Sequence, residues 1–199
     1  MNKKSGKLIV LYGINNLGKS TQAEMLTERL KFQGFSAIYL KYPIYSLDPS
    51  GIVLNNYLRK GNTYNLSSRE AQIIYALNRF QFQPWLLKQL NAGITIIAED
   101  YVGTGIAWGL GAGLDEKFLK KINNGLIKED LAFLFDGERF KEAQEKNHRH
   151  ESNDDLTNKV RWAHLKLKEE YKWQKINAND SITNIHDKIW SRVLEILKH

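Results

Sequence analysis

The chain has 199 residues, 42% of them hydrophobic and 11% aromatic, which is typical of a globular protein with a sizeable core. It has no cysteine, which excludes disulfides and thiolate metal sites and makes a cytoplasmic location the default expectation. No stretch approaches the roughly 18 apolar residues of a membrane-spanning helix, and the apolar run after the basic N-terminus is too short for a signal peptide. The net charge of +7 suits an anionic ligand, but the lysines are scattered and lack interleaved aromatics, so we expect neither a nucleic acid nor a membrane as partner.

Apolar runs alternate with amphipathic segments along the chain. Strands are predicted at 8–12, 35–40, 94–98, 131–135 and 173–176. Helices are predicted at 21–32, 52–59, 68–90, 115–127, 138–146, in the segment that ends at 171, and at 182–197, and residues 103–113 are rich in glycine. Ser67 followed by Glu70 gives a capping signal for the long third helix. This alternation predicts an α/β fold, a five-stranded parallel sheet with helices on both faces.

The first strand runs into a phosphate-binding pattern. Residues 13–20 fit G-x-x-x-x-G-K-[ST], a pattern that a chain of this length matches by chance roughly once in a hundred cases. The glycines let backbone N–H groups converge on phosphate oxygens, Lys19 places a charge on the β- and γ-phosphates, and the Ser20 hydroxyl is a ligand for Mg²⁺. The predicted ATP-binding residues are Gly13, Ile14, Asn15, Asn16, Leu17, Gly18, Lys19, Ser20 and Thr21.

Further polar residues follow the other predicted strands. Tyr42 and Pro43 come after the second strand, Glu99 and Asp100 end the third, and Asp136 ends the fourth. Because ligands of open parallel sheets bind beyond the carboxyl ends of the strands, we expect these residues to lie near the phosphate loop.

Several short motifs occur in one order and together resemble the thymidylate kinase family of nucleoside monophosphate kinases. The resemblance covers nearly the whole chain and implies a P-loop NTPase three-layer sandwich, with residues 1–199 forming one kinase domain. It also implies a mobile LID-like flap at about 138–155, the cofactors ATP and Mg²⁺, and a homodimer. The motifs are Lys41-Tyr42-Pro43, Tyr75-Ala-Leu-Asn78-Arg79, Glu99-Asp100-Tyr101 with Thr104, Ala107 and Trp108, and His148-Arg149-His150-Glu151 with Asp155, Leu156, Val160 and Arg161.

The resemblance also implies roles for individual residues. Tyr75 would stack on the acceptor base, Arg79 would reach the base edge or the sugar-phosphate, and Trp108 would lie against the deoxyribose. The predicted acceptor-binding residues are Asn15, Tyr42, Pro43, Tyr45, Tyr75, Asn78, Arg79, Asp100, Tyr101, Thr104 and Trp108.

Three residues are predicted to be catalytic: Lys19, Glu99 and Arg149. Glu99, together with Ser20, would organise Mg²⁺ and orient the acceptor or take its proton. Arg149 would neutralise the charge on the transferring phosphoryl group, because Leu17 stands where some family members carry an arginine in the loop. Arg139 and Arg161 are alternatives for this role. Residues 138–175 are nearly charge-balanced, so a solvent-exposed segment with no catalytic role is the competing interpretation.

The chain departs from the family pattern in the acceptor half of the site. Tyr45 and Asp100 stand where the family has the two arginines that hold the acceptor's monophosphate, and Tyr12 and Asn15 replace a glutamate and an aspartate. A carboxylate at position 100 repels a phosphate dianion. Either another cation (Arg79, Lys41 or Arg69) binds this phosphate, or the acceptor has none.

Three functions are therefore compared. The first is a kinase that transfers the γ-phosphate of ATP to dTMP, giving dTDP and ADP, and the order of motifs favours it. The second is a deoxynucleoside kinase acting on thymidine or another deoxynucleoside, which the missing arginines favour. The third is a non-catalytic nucleotide-binding protein, which the intact Lys19 and Ser20 disfavour.

Overall fold

The structure, a computed structural model, describes residues 5–140 and 154–198. Five strands form one sheet: β1 (Leu8–Tyr12), β2 (Ala37–Lys41), β3 (Thr95–Glu99), β4 (Leu131–Asp136) and β5 (Gln174–Asn177). All pairs are parallel and the strand order is β2-β3-β1-β4-β5. The predicted fold class is therefore confirmed.

The register of the sheet brings the ends of the central strands together. Leu11 in β1 is paired with Glu99 in β3, and Lys41 in β2 is paired with the same Glu99. Every residue of β1 and β3 is buried, which requires helices on both faces of the sheet. The polar residues that follow these strands thus meet at one edge, next to the phosphate loop.

Seven helices lie within the described residues. Helix α1 (Lys19–Phe32) packs against α7 (Ile182–Lys198). Helix α4 (Val102–Gly111) packs against α3 (Ser68–Asn91), α5 (Glu116–Ile122) and α6 (Asp154–Tyr171). None of the helices in the described part of the chain is long and apolar enough to cross a membrane. The other helix of the seven is α2 (Ser50–Arg59).

The long third helix begins as its sequence predicts. The Ser67 side chain accepts a hydrogen bond from the Glu70 backbone N–H, and the Glu70 carboxylate accepts one from the Ser67 backbone N–H. This capping box satisfies two N–H groups that the first turn would otherwise leave without partners. The predicted signal is confirmed.

The glycine-rich stretch forms helix α4, although glycine disfavours helices by about 1 kcal/mol per residue relative to alanine. Tertiary packing explains why a helix forms here in spite of the glycines. A Cβ atom at Gly103 would lie 2.4 Å from the Trp173 ring, and one at Gly111 would lie 2.5 Å from a methyl group of Val160. Small residues are needed here for close approach, and the burial gained by that approach outweighs the low helix propensity.

Two other boundaries differ from the predictions. Helix α5 ends at Ile122 and not at 127, because the backbone turns at Asn123 and Gly125 has a positive φ of 94°. Residues 138–140 are not helical, since the Glu138 N–H donates to Asn179 and the Phe140 N–H donates to the Asn16 carbonyl. The rest of the predicted 138–146 helix, and the flap motif 148–151 with Arg149, lie outside the described residues.

Candidate active site

A cleft of about 300 Å³ opens at the carboxyl ends of β1, β2 and β3. It brings together most of the residues that the sequence predicts for the site. Gly13 and Ile14 lie behind it, where their carbonyls contact Lys19. The predicted residues that line the cleft are Asn15, Asn16, Leu17, Gly18, Lys19, Ser20, Thr21, Tyr42, Pro43, Tyr45, Tyr75, Asn78, Arg79, Glu99, Asp100, Tyr101, Thr104 and Trp108.

The phosphate loop requires glycine at two positions. Gly13 has a φ of 139°, and a Cβ atom there would lie 2.6 Å from the Phe135 carbonyl oxygen. Gly18 has a φ of 77° and precedes the first residue of α1. Lys19 is 3% exposed, and its Nζ donates to the carbonyls of Gly13 (3.0 Å) and Ile14 (2.7 Å). The loop therefore holds the lysine charge at the N-terminus of α1, where an anion binds well.

Glu99 lies at the centre of the site and contacts three polar side chains from two other elements, α1 and β2. Its Oε2 accepts from Ser20 Oγ and from the Tyr39 hydroxyl, each at 2.7 Å, and its Oε1 lies 2.9 Å from Lys41 Nζ. Burial raises the pKa of Glu99, but Lys19 and Lys41 outweigh it and hold the pKa below its usual range. Glu99 is therefore a carboxylate at neutral pH, fixed beside the Ser20 hydroxyl.

Asp100, beside Glu99, has an unusual backbone conformation and a different charge environment. Its φ is 60°, a left-handed value that costs energy for most residues other than glycine. Its Oδ1 accepts a hydrogen bond from Thr104 Oγ1 at 2.9 Å and lies 3.9 Å from Lys19 Nζ. Burial raises the pKa of Asp100 above its usual range despite Lys19. The pKa values of the two neighbouring carboxyls are thus shifted in opposite directions, and Asp100 takes up a proton more readily than Glu99.

The opposite half of the cleft combines aromatic rings with a buried arginine. Tyr75 is 9% exposed, Trp108 7% and Arg79 3%. The Arg79 guanidinium donates from Nε and Nη2 to the Asn123 side-chain oxygen, at 3.1 and 2.8 Å, and from Nη1 to the Tyr101 carbonyl at 3.5 Å. Burial lowers the pKa of Arg79 to about 10, so it stays charged at neutral pH. Because both hydrogen-bond partners are neutral, the positive charge remains available to a ligand.

Asn78 uses its hydrogen bonds to hold the loop after β2. Its Oδ1 accepts from the Ile44 N–H at 2.8 Å, and its Nδ2 donates to the Ile44 carbonyl and to Ser50 Oγ, both at 2.9 Å. Both donors of the amide are therefore occupied. Asn78 fixes the loop that carries Pro43 and Tyr45, and direct contact between Asn78 and an acceptor stays a prediction.

Sequence motifs alone miss several residues of the cleft. Leu58, Arg59, Gln72 and Gly105 also line it. The Gln72 side chain is 5% exposed, and its Oε1 has no hydrogen-bond partner among the described residues, which leaves an acceptor for a polar ligand. The spacing of Gln72 from Tyr75 and Arg79, three and seven residues, is the helical signal that places it on the same face. These residues are contributed by packing and carry no motif of their own.

The two other cations considered for an acceptor phosphate differ in position. Lys41 lines the cleft and reaches Glu99. Arg69 is on the surface, with its guanidinium 3.6 Å from the centre of the Phe118 ring, and it does not line the cleft. Arg69 as a phosphate ligand is therefore the weaker expectation, because its side chain is held against another helix.

The model of the thymidylate kinase family matches residues 11–189. The chain belongs to the thymidylate kinase family. Its similarity to the human thymidylate kinase is 28% identity over 197 residues, which covers 95% of this chain and 90% of the human protein. Protein 251L of Invertebrate iridescent virus 6 is 31% identical over 186 residues, covering 92% of this chain and 86% of the viral protein.

A solved structure of a thymidylate kinase extends the likeness to three dimensions. The enzyme from Candida albicans superimposes with a TM-score of 0.80 at 25% identity, covering 98% of this chain and 93% of that chain. That enzyme is described as having broad substrate specificity. Family membership is therefore supported by both sequence and structure.

Proposed function

We propose that this chain transfers the γ-phosphate of ATP to dTMP, giving dTDP and ADP. Family membership supports this function, and one observation carries it for this chain. A single cleft joins the phosphate loop to an acceptor half with Tyr75, Trp108 and the buried, charged Arg79, whose hydrogen-bond partners among residues 5–140 and 154–198 are neutral. Such an environment favours a planar base with electronegative atoms on its edge.

The phosphate loop forms the donor half of the cleft, where ATP is proposed to bind. The backbone N–H groups of residues 13–20 and the charge on Lys19 are proposed to bind the β- and γ-phosphates of ATP. Ser20 Oγ and the Glu99 carboxylate, which lie within 2.7 Å of each other, are hard oxygen donors that fit Mg²⁺. Mg²⁺ held by these two residues would neutralise part of the charge on the phosphates.

In the acceptor half, the proposed reaction is the transfer of the γ-phosphate to the phosphate of dTMP. A phosphate oxygen of dTMP forms a bond to the γ-phosphorus while the bond from that phosphorus to the ADP oxygen breaks. At neutral pH the attacking oxygen carries no proton, so Glu99 is proposed to orient the site and not to act as a base. Lys41, whose pKa is raised by Glu99 although burial opposes it, is the proposed replacement for the missing phosphate arginines.

The flap is proposed to complete the site. At the start of this segment, in the described residues 138–140, the Phe140 backbone N–H donates to the Asn16 carbonyl of the phosphate loop at 2.9 Å. The start of the proposed flap thus contacts the loop that is proposed to bind the γ-phosphate. We therefore retain the single kinase domain with a LID-like flap at about 138–155, and Arg149 as the arginine that stabilises the transition state.

A homodimer is the proposed assembly. Ile73, Leu77, Phe80 and Leu87 are 37–45% exposed, and their spacing along α3 puts them on one side of the helix. Tyr75 and Arg79 lie on the opposite side, facing the cleft. Two copies could thus pair through α3 without closing the site. The use of ATP supports a cytoplasmic location, and no nucleic-acid partner is proposed.

A deoxynucleoside kinase is the second candidate, and the position of Asp100 favours it. Asp100 lies 3.9 Å from Lys19, where a second phosphate would meet a carboxyl group. In that reaction the 5′-hydroxyl of thymidine would lose its proton to Glu99 during attack.

The test is to offer the purified protein ATP, Mg²⁺ and one acceptor at a time, and to follow ADP formation. The acceptors are dTMP, thymidine, dUMP, dCMP and dGMP. Turnover with dTMP supports the proposal, whereas turnover with thymidine and not with dTMP contradicts it in favour of the second candidate. ATP binding without turnover on any acceptor contradicts both.

A further inference from the structure

Asn123 belongs to no motif, yet its hydrogen bonds to the buried arginine of the acceptor half are shorter than the one from that arginine to Tyr101. Its Oδ1 accepts two hydrogen bonds from Arg79, at 2.8 and 3.1 Å, and Asn123 itself is 6% exposed. A guanidinium that donates through Nε and Nη2 to one oxygen has its plane and direction fixed. The orientation of Arg79 therefore depends on this amide.

The amide is itself held in one orientation. Asn123 is the residue that follows the last turn of α5, and its Nδ2 donates to the Leu119 carbonyl at 2.9 Å. With the NH₂ group committed to the helix end, the oxygen must face Arg79, because the reverse orientation would lose both contacts. The end of α5 thus directs the Asn123 side-chain oxygen, a hydrogen-bond acceptor, at the guanidinium.

Gly105, in helix α4, limits the position of the Arg79 guanidinium. A Cβ atom at Gly105 would lie 2.8 Å from Arg79 Nη2 and 2.9 Å from Nη1. Arg79 is therefore confined by Gly105 and Asn123, with one N–H directed to the Tyr101 carbonyl. Of its five N–H groups, three are used in these contacts, and the other two remain for the cleft that Arg79 lines.

The chemistry of the partner matters as much as its position. A carboxylate at position 123 would hold the guanidinium equally well but would neutralise its charge. The amide oxygen orients Arg79 without a counter-charge, and none of the described residues supplies a carboxylate to it. The arginine is thus both fixed and electrostatically available.

We propose that Asn123 is a positioning residue for acceptor binding, acting through Arg79 on the nucleotide that enters this cleft. The inference rests on the proposed function, in which Arg79 contacts the acceptor. It assigns a role in the reaction to the end of α5, outside every motif of the site.

The test compares Asn123→Ala with Asn124→Ala, a change of the exposed neighbour in the same loop. Asn123→Ala is expected to raise the KM for dTMP about tenfold or more, because hydrogen bonds to a charged group are lost. The KM for ATP is expected to stay within about threefold of the wild-type value, since the donor half is untouched. Asn124→Ala is expected to match the wild type in both constants.

A double variant separates positioning from a general structural effect. If Asn123 acts through Arg79, Asn123→Ala in an Arg79→Lys background adds little to the KM for dTMP. Independent, multiplicative increases would overturn the inference. Should Asn123→Ala fail to fold in a thermal melt, Gly105→Ala displaces the same guanidinium from the other side, and an unchanged KM for dTMP in that variant would overturn it equally.

The outcomes distinguish this inference from the proposed function. A wild-type protein without dTMP phosphorylation defeats the proposed function. A wild-type protein that phosphorylates dTMP, together with an Asn123→Ala variant whose KM equals that of Asn124→Ala, defeats the role of Asn123 alone.

Discussion

Replacing Asp100 with asparagine should improve the use of dTMP. The change is nearly isosteric, the amide oxygen can still accept from Thr104, and asparagine tolerates the positive φ of 60° at this position. What it removes is a negative charge in the half of the cleft that must receive a phosphate dianion. The KM for dTMP is therefore expected to fall.

The size of the effect follows from the distances in the site. Asp100 lies 3.9 Å from Lys19 Nζ. Lys19 is proposed to contact the γ-phosphate at about 3 Å, and the reacting groups approach to about 3–3.5 Å, so the carboxyl would lie within roughly 10 Å of the acceptor phosphate. Two unit charges at that distance repel by about 2 kcal/mol at an effective dielectric constant of about 20. Lys19 and the raised pKa of Asp100 reduce this value, so we expect about 1–2 kcal/mol, a decrease of roughly 5- to 30-fold in KM.

A coupled assay of ADP formation measures the effect, with thymidine as the control acceptor. Thymidine carries no charge, so the Coulomb term vanishes and its KM should not change in Asp100→Asn. Thermal melts show whether the variant retains the fold. An unchanged or higher KM for dTMP in a well-folded variant would show that Asp100 does not repel the acceptor phosphate.

Four further predictions test other parts of the account. Arg149→Ala should lower kcat about 10³-fold while ATP binding stays within about threefold, and equal losses in both would exclude a transition-state role. Lys41→Met should raise the KM for dTMP about tenfold and leave that for thymidine unchanged, and a parallel rise in both would exclude a phosphate contact. Asp136→Asn should lower the free energy of unfolding by about 1–2 kcal/mol at pH 7 in urea titrations, because burial raises the pKa of Asp136 but its arginine and lysine partners outweigh this and lower it. That stabilisation is present above the usual aspartate pKa and is lost as the pH falls through the lowered folded value, so a difference that persists in strong acid would contradict it. Leu77→Glu should convert a dimer into a monomer in sedimentation experiments, whereas Phe32→Glu, on the exposed end of α1, should not.

Local patterns with a defined geometry are what the sequence predicts well. The phosphate loop depends on Gly13 and Gly18 at fixed spacing, and the capping box depends on Ser67 and Glu70 alone. Each is determined by a few neighbouring residues, so no knowledge of distant contacts is needed. The alternation of strands and helices gives the fold class for the same reason.

Features that depend on distant contacts are not predicted. Helix α4 forms from a glycine-rich stretch because Trp173 and Val160, far along the chain, occupy the space beside its glycines. Asn123 reaches Arg79 only through tertiary packing, across 44 residues of sequence. The pairing of Tyr39 with Glu99 also follows from strand order and not from any motif.

The acceptor half shows how the two kinds of information combine. Tyr45 and Asp100 mark a departure from the family pattern, which the sequence alone reveals. The structure adds that Lys41 lines the same cleft and that Arg79 has neutral hydrogen-bond partners. Together they favour a monophosphate acceptor bound by a different set of cations.

A competition experiment decides between dTMP and thymidine as the acceptor. Equal concentrations of dTMP and thymidine are mixed with ATP labelled at the γ-phosphate and Mg²⁺, and the label in dTDP and in dTMP is counted at early times. The ratio of labelled products reports the ratio of kcat/KM for the two acceptors. If the chain is a dTMP kinase, the label appears in dTDP with little in newly formed dTMP, whereas label in dTMP without dTDP would show that thymidine is the acceptor.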